Sequence, residues 1–180
     1  MYVISFVNPK GGTGKTTAAL LLAEQLAKAG AQVAMLDCDP NQNIVTWASE
    51  REQARRKTPF AVIARPTEER VVEVIDDLDG KFDYLIVDLE GTAAQIVTFV
   101  LSRTDIALIP FEPTPMETRQ AARAVGLVKS TAKMMRRPIP FTLLFTRTNA
   151  AFQTSDERDV RSETSDLPVL PTSIVRRAAY

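Results

Sequence analysis

Six short runs of almost continuously apolar residues punctuate the chain. They restrict its architecture more than any other feature of the sequence. They are YVISFV (2–7), QVAMLD (32–37), FAVIA (60–64), DYLIVDL (83–89), DIALIP (105–110) and FTLLFT (141–146). A strand with one wet face alternates apolar with polar residues, and these runs do not. Near-continuous runs rich in Val and Ile suit strands covered on both faces, as in a parallel sheet with helices on either side. The intervening stretches 15–29, 42–57, 67–78, 92–103, 115–136 and 153–165 are long enough for crossover helices. Strand, helix, strand repeated in this way predicts an α/β fold, doubly wound around a mostly parallel sheet. No repeat, low-complexity tract or linker divides the 180 residues, so 1–180 reads as one domain with a sizeable core.

Composition narrows the chemistry. Histidine is absent, which removes the commonest general base and metal ligand. The single cysteine, Cys38, allows no internal disulfide and no Cys-rich metal site. Formal net charge is zero, so any affinity for nucleic acid or acidic lipid must come from a local patch. The first residues carry no basic region of a signal sequence, and no apolar run approaches membrane-spanning length. The expectation is a cytoplasmic protein.

The first apolar run opens into Pro9-Lys10-Gly11-Gly12-Thr13-Gly14-Lys15-Thr16-Thr17. Glycines let backbone N–H groups approach an anion, and the following helix offers its N-terminus. A plain glycine-rich strand-to-helix turn accounts for the glycines but not for Gly-Lys-Thr-Thr at the helix start. In a phosphate loop of this kind Lys15 reaches the β- and γ-phosphates, and the Thr16 hydroxyl ligates Mg²⁺. The general pattern GxxxxGK[ST] is nevertheless broken, because its first glycine falls on Pro9. A second lysine, Lys10, stands just before the glycines instead.

This arrangement resembles the deviant Walker A motif of the ParA/MinD family of P-loop ATPases. The resemblance implies binding of ATP or ADP with Mg²⁺ and slow hydrolysis. It implies a nucleotide cradle of Gly11, Gly12, Thr13, Gly14, Lys15, Thr16 and Thr17. It also implies an ATP-dependent homodimer in which Lys10 reaches phosphate held by the partner subunit. A solvated loop lysine is the alternative for Lys10. Two further motifs follow in the family's order. Asp37-Cys38-Asp39-Pro40-Asn41 resembles its D-x-D-P-Q, with Asn41 in place of glutamine. Asp39 matches the residue that activates water near Mg²⁺, although it can equally cap the next helix. Asp37 matches a supporting position. Tyr84–Asp88 resembles a Walker B strand whose Asp88 contacts the Mg²⁺ shell. The following Glu90 and Gly91 depart from the family's usual D-x-P-P. Thr146, Arg147 and Pro171 match segments near the adenine.

Within the family the opening motif and compact length look most like small plasmid-partition proteins of the ParA type, with VirC-type proteins as near relatives. It implies segregation or positioning of DNA, non-specific DNA binding, and stimulation by a centromere-binding or other partner protein, with no membrane partner. Nucleoid association would follow from DNA binding. The family continues past the Pro171–Ile174 segment with a further helix, so a truncated C-terminus is expected. A MinD-like membrane-positioning ATPase and a metabolic ATP-dependent ligase are the alternatives.

One helix start is marked by Thr114-Pro115-Met116-Glu117: a cap, a proline at the first helical position, and a glutamate able to close a capping box. The predicted helix carries Arg119, Arg123, Lys129, Lys133, Arg136 and Arg137. At about 100° per residue these six fall within an arc of roughly 140°. Ala124, Leu127, Val128, Met134 and Met135 lie opposite, on the side expected to pack on the sheet. No acid occurs from Thr118 to Pro138. That favours a DNA-phosphate contact, with an ordinary solvated face as the alternative.

Overall fold

The protein is described by a computed structural model covering residues 1–90 and 94–176. Its chain order is β1 (Tyr2–Phe6), α1 (Lys15–Lys28), β2 (Val33–Cys38), α2 (Asn43–Gln53), β3 (Ala61–Ile63), α3 (Val71–Asp77), β4 (Tyr84–Leu89), α4 (Ala94–Leu101), β5 (Ile106–Phe111), α5 (Pro115–Met135), β6 (Phe141–Thr148), α6 (Ser155–Glu163) and β7 (Ile174–Val175). The strands form a seven-stranded sheet in the order β3-β2-β4-β1-β5-β6-β7, and every pairing is parallel. All six apolar runs form strands. β7 was not separable from loop by pattern, because two residues carry no periodicity.

Continuous apolarity has the expected cause. Along β1, Val3 faces one core and Ile4 and Phe6 face the other. The first core takes Val71 and Ile75 of α3, Val100 and Leu101 of α4, Ala121, Ala124 and Val128 of α5, and Val160 of α6. The second takes Ala18, Ala19 and Ala23 of α1 and Ile44 of α2. Both faces are therefore covered, and the sheet is doubly wound. β1 is central, with β4 on one side and β5 on the other. From β1 the chain steps out to β2 and β3, returns to β4 beside β1, and then crosses to β5, β6 and β7, so the loop after β1 opens where the winding changes sides and where α/β proteins place their ligands. The sheet margins are short: three residues in β3 and two in β7.

Helix α5 departs from expectation at both ends. At its start Thr114 caps as expected, its hydroxyl accepting from the Glu117 N–H at 3.3 Å, with Pro115 in the first turn. The Glu117 carboxylate does not return to close a capping box; it turns to Lys10. The helix ends at Met135, and Arg136 adopts a left-handed conformation (φ 50°). The helical arc therefore holds only Arg119, Arg123, Lys129 and Lys133. Arg136 lies at the C-cap. Arg137 lies beyond it, directed at the end of α4, where its Nη2 donates to the carbonyls of Thr104 (2.9 Å), Ser102 (3.2 Å) and Leu101 (3.5 Å). Met134 and Met135 do not pack on the sheet; they are 61% and 38% exposed.

Arg137 is thus a structural cation that satisfies the orphan carbonyls closing α4. Arg137→Ala should lower unfolding stability by about 1–3 kcal/mol, the scale of charge-assisted hydrogen bonds lost from a half-buried site. A urea midpoint shifted down with an unchanged slope would show it. An unshifted midpoint would mean that water replaces the guanidinium without cost.

Candidate functional site

The loop between β1 and α1 is fastened from behind. Asn8 is buried; its Nδ2 donates to the Pro110 carbonyl at 2.8 Å, and its Oδ1 accepts from the Lys10 N–H at 3.0 Å. On the other side, the Thr146 hydroxyl donates to the Thr13 carbonyl at 2.9 Å. Gly14 takes φ 88° as the N-cap of α1, and a Cβ there would meet Thr146 Cγ2 at 3.4 Å in a backbone conformation that L side chains avoid. At 3.4 Å that contact is ordinary, so the left-handed backbone rather than lack of space calls for glycine here. The loop borders a cleft of about 440 Å³ lined by Gly11, Gly12, Gly14, Lys15, Thr16, Thr17, Asp39, Asn41, Asn43, Glu90 and Arg147.

Lys15 is buried, and its ammonium donates to the Lys10 carbonyl at 2.9 Å. Burial lowers its pKa, opposed by the carboxylates of Asp88, Asp39 and Glu90. Thr16 donates its hydroxyl to Asp88 Oδ2 at 2.6 Å, while Asp88 Oδ1 is buried without a hydrogen-bond partner. Asp37 pairs in register with Asp88 on the adjacent strand. Both are fully enclosed, yet they are treated differently. Asp37 Oδ2 accepts from the N–H groups of Ile44 (3.0 Å) and Val45 (3.2 Å), and its Oδ1 accepts from Asp39 N–H. Asp37 is therefore the residue that caps α2. Burial still raises its pKa, with those three backbone donors working against the rise. Asp39, expected as an alternative cap, instead closes a short turn, its Oδ1 accepting from Asn41 N (2.8 Å) and Asn41 Nδ2 (2.9 Å). It is half-buried and faces the cleft.

Lys10 stands apart. It is absent from the cleft lining, and its ammonium forms an ion pair with Glu117 at the start of α5. Of the residues matched to the adenine, Thr146 is 1% exposed and buttresses the loop from behind, so it presents no face to the cleft. Arg147, at φ 55°, lies beside Gly12 and 3.7 Å from Glu112. It borders both this cleft and an adjoining one of about 880 Å³. Pro171 is exposed and lines neither. Gly91 lies outside the described residues. Sequence reasoning missed Asn8 as the loop's anchor and Glu117 as the counter-ion of Lys10. The pairing spans 107 positions and leaves no local pattern.

Comparison with known proteins gives the family. The whole chain, residues 1–180, matches the family described as VirC1 protein. It is a ParA-type member of the VirC1 family. The VirC1-family chain is 30% identical to Protein ParA of Rhizobium radiobacter over 182 residues, spanning 100% of this chain and 81% of that one. Its fold is similar to that of apo McdA from Cyanothece, with a TM-score of 0.82 at 20% identity, covering 98% of this chain and 86% of the other. It is also similar to cobyrinic acid a,c-diamide synthase of Mycobacterium smegmatis, solved with a bound ATP analogue and magnesium. That likeness has a TM-score of 0.81 at 19% identity and covers 99% and 88% of the two chains. The chain therefore belongs with the P-loop proteins of ParA type. No helix among the described residues is long and apolar enough to cross a membrane.

The enclosed Asp88 gives a direct test of the site's electrostatics. Burial is the main cause that pushes its carboxyl up to about 6, with Asp37 and Asp39 adding to the rise and Thr16 and Lys15 opposing it. An unfolded carboxyl titrates near 3.9. Between those values the folded protein holds a proton that the unfolded chain has lost, so the Asp88 contribution to stability is full below about pH 4 and is lost by about pH 6. Without nucleotide or divalent cation, Asp88→Asn should be more stable than the parent at pH 7.5, by up to about 3 kcal/mol. That advantage should vanish at pH 4. Urea unfolding at the two pH values reads it, and an advantage independent of pH would show that the carboxylate is not the destabilising group.

Proposed function

We propose that this chain is an ATP-driven switch. It binds ATP and Mg²⁺, dimerises in the ATP state, binds DNA without sequence preference, and hydrolyses ATP slowly to reset. Its work is to segregate or position DNA. The observation that carries the reading is the division between the two lysines. Lys15 is buried at the cleft, whereas Lys10 lies outside it and is paired with α5. One cation serves the chain's own nucleotide, and the other is left over for a neighbour's.

The residues present fit the nucleotide and its metal. Gly11, Gly12, Thr13, Gly14 and Thr17 supply a cradle with little side-chain obstruction at a helix N-terminus. Among the described residues no cluster of three or more acidic, Cys or His side chains is placed to cage a metal alone. A single enclosed carboxylate with a spare oxygen, beside a hydroxyl, is the donor set expected where phosphate and water complete the shell. Thr16 and Asp88 would hold Mg²⁺, with Asp39 nearby, and the ion would supply charge neutralisation at the phosphates. Lys15 neutralises the β- and γ-phosphates of its own nucleotide. Asp39 orients the attacking water, a role for which a carboxylate is the natural choice in a chain without histidine. Lys10 of the second subunit adds positive charge where negative charge spreads in the transition state. Arg147 borders the space where the base would lie. A centromere-binding or other partner protein accelerates the slow step. The metabolic synthase is similar in fold alone, so it lends no substrate to this chain.

Four cations, Arg119, Arg123, Lys129 and Lys133, are exposed on α5. The Lys129 ammonium lies 5.8 Å from the Phe141 ring centroid, which lowers its freedom without hiding it. The stripe suits phosphate contacts rather than base readout. Dimerisation would double it, so DNA affinity should rise with ATP.

Sizing chromatography with ADP, ATP and a non-hydrolysable analogue tests the switch. The parent should dimerise with ATP or the analogue and not with ADP. Lys15→Ala should lose nucleotide affinity. Lys10→Ala should bind nucleotide yet stay monomeric, and Asp39→Ala should dimerise but turn over about 10²–10⁴-fold more slowly. Normal ATP-driven dimerisation by Lys10→Ala would refute the division between the lysines.

For DNA, the pairs Arg119→Ala with Arg123→Ala, and Lys129→Ala with Lys133→Ala, should each weaken binding to a random-sequence duplex. The slope of log affinity against log salt should flatten by about two contacts' worth. Unchanged slopes in both pairs would move the contact off α5.

A further inference from the structure

We infer that Glu117 is the positioning residue for Lys10: it holds the lysine on its own subunit and so sets the protein concentration at which ATP assembles the dimer. The inference rests on the reading of Lys10 given above and extends it. The geometry is that of a tether between two rigid anchors. The Lys10 backbone is fixed on both sides, its N–H on Asn8 Oδ1 and its carbonyl under the Lys15 ammonium. The Glu117 backbone is fixed in the first turn of α5 by the Thr114 cap and Pro115. Only the two side chains between them are free to exchange partners.

The pair is also unequal. Lys10 retains 36% side-chain exposure, whereas Glu117 retains 12%. One Glu117 oxygen meets the ammonium, and the other, Oε2, is buried without a hydrogen-bond partner. A carboxylate that is mostly desolvated and only half satisfied depends strongly on its counter-charge. Moving Lys10 onto a neighbour's phosphate therefore strands an enclosed anion, and that cost opposes dimerisation. A plain structural role, fixing α5 to the loop, would show as lost stability and would be indifferent to the state of assembly.

The experiment measures the protein concentration at half-dimerisation with a non-hydrolysable ATP analogue, by sedimentation of the full chain. Glu117→Gln keeps the shape and removes the charge. It should dimerise at a concentration about tenfold lower than the parent, within the usual range of such couplings. Glu117→Asp restores the charge and should return the midpoint toward the parent value. Lys10→Ala with Glu117→Gln should stay as monomeric as Lys10→Ala alone, because a tether has no effect without the group it holds. Analogue binding to the monomer, measured at low protein concentration, should be equal for the parent and Glu117→Gln, which reports an intact cradle. A Glu117→Gln midpoint equal to or higher than the parent's, with Lys10→Ala still monomeric, overturns the tether and leaves the lysine reading standing. Normal dimerisation by Lys10→Ala overturns both.

Discussion

Everything at the site depends on how the loop after β1 is backed. Thr146 holds the Thr13 carbonyl and lies against Gly14, while Asn8 ties the other limb to the end of β5. The two fasteners come from strands that flank β1 or lie one strand further out. The sheet therefore does more than carry the loop at its edge. It braces the loop so that its backbone N–H groups are held in place before any anion arrives. Preorganised dipoles of this kind bind charge without the cost of reorienting.

The same enclosure shapes the charges. Three carboxylates, Asp37, Asp39 and Asp88, and one ammonium, Lys15, share the carboxyl ends of β2 and β4 and the start of α1. Asp37 is bonded by the backbone donors of α2, which oppose without cancelling the rise that burial causes, so it is used to build the fold. Asp88 is not, and it is held above the normal carboxylate range. A buried group kept at a disadvantage in the resting protein marks a site whose stability is subordinate to binding.

Much of this was legible in the sequence, for physical reasons that differ by element. The strands were readable because burial on both faces leaves few polar residues to blur the pattern, and β1 shows the two cores directly through Val3 and Ile4. The loop was readable because glycine, lysine and threonine at fixed offsets have one joint use. What escaped was non-local. The Thr114 motif predicts where α5 begins but cannot say that the Glu117 carboxylate crosses to Lys10. The periodicity of α5 treats Arg137 as one more point on a helical wheel, although the helix has already ended at Met135. Likewise the D-x-D spacing gives both aspartates to the site and does not reveal that Asp37 is consumed in capping.

The margins of the sheet have a consequence of their own. Strands of three and two residues at the borders leave almost no ladder of free amides and carbonyls on which another chain could extend the sheet. Lateral growth, the default hazard of an open parallel sheet, is closed off by brevity rather than by charge. Association is then steered to whatever surface carries the strongest conditional attraction, and a surface whose attraction depends on a small molecule can be switched on and off. Short edges thus leave the sheet itself little part in any assembly.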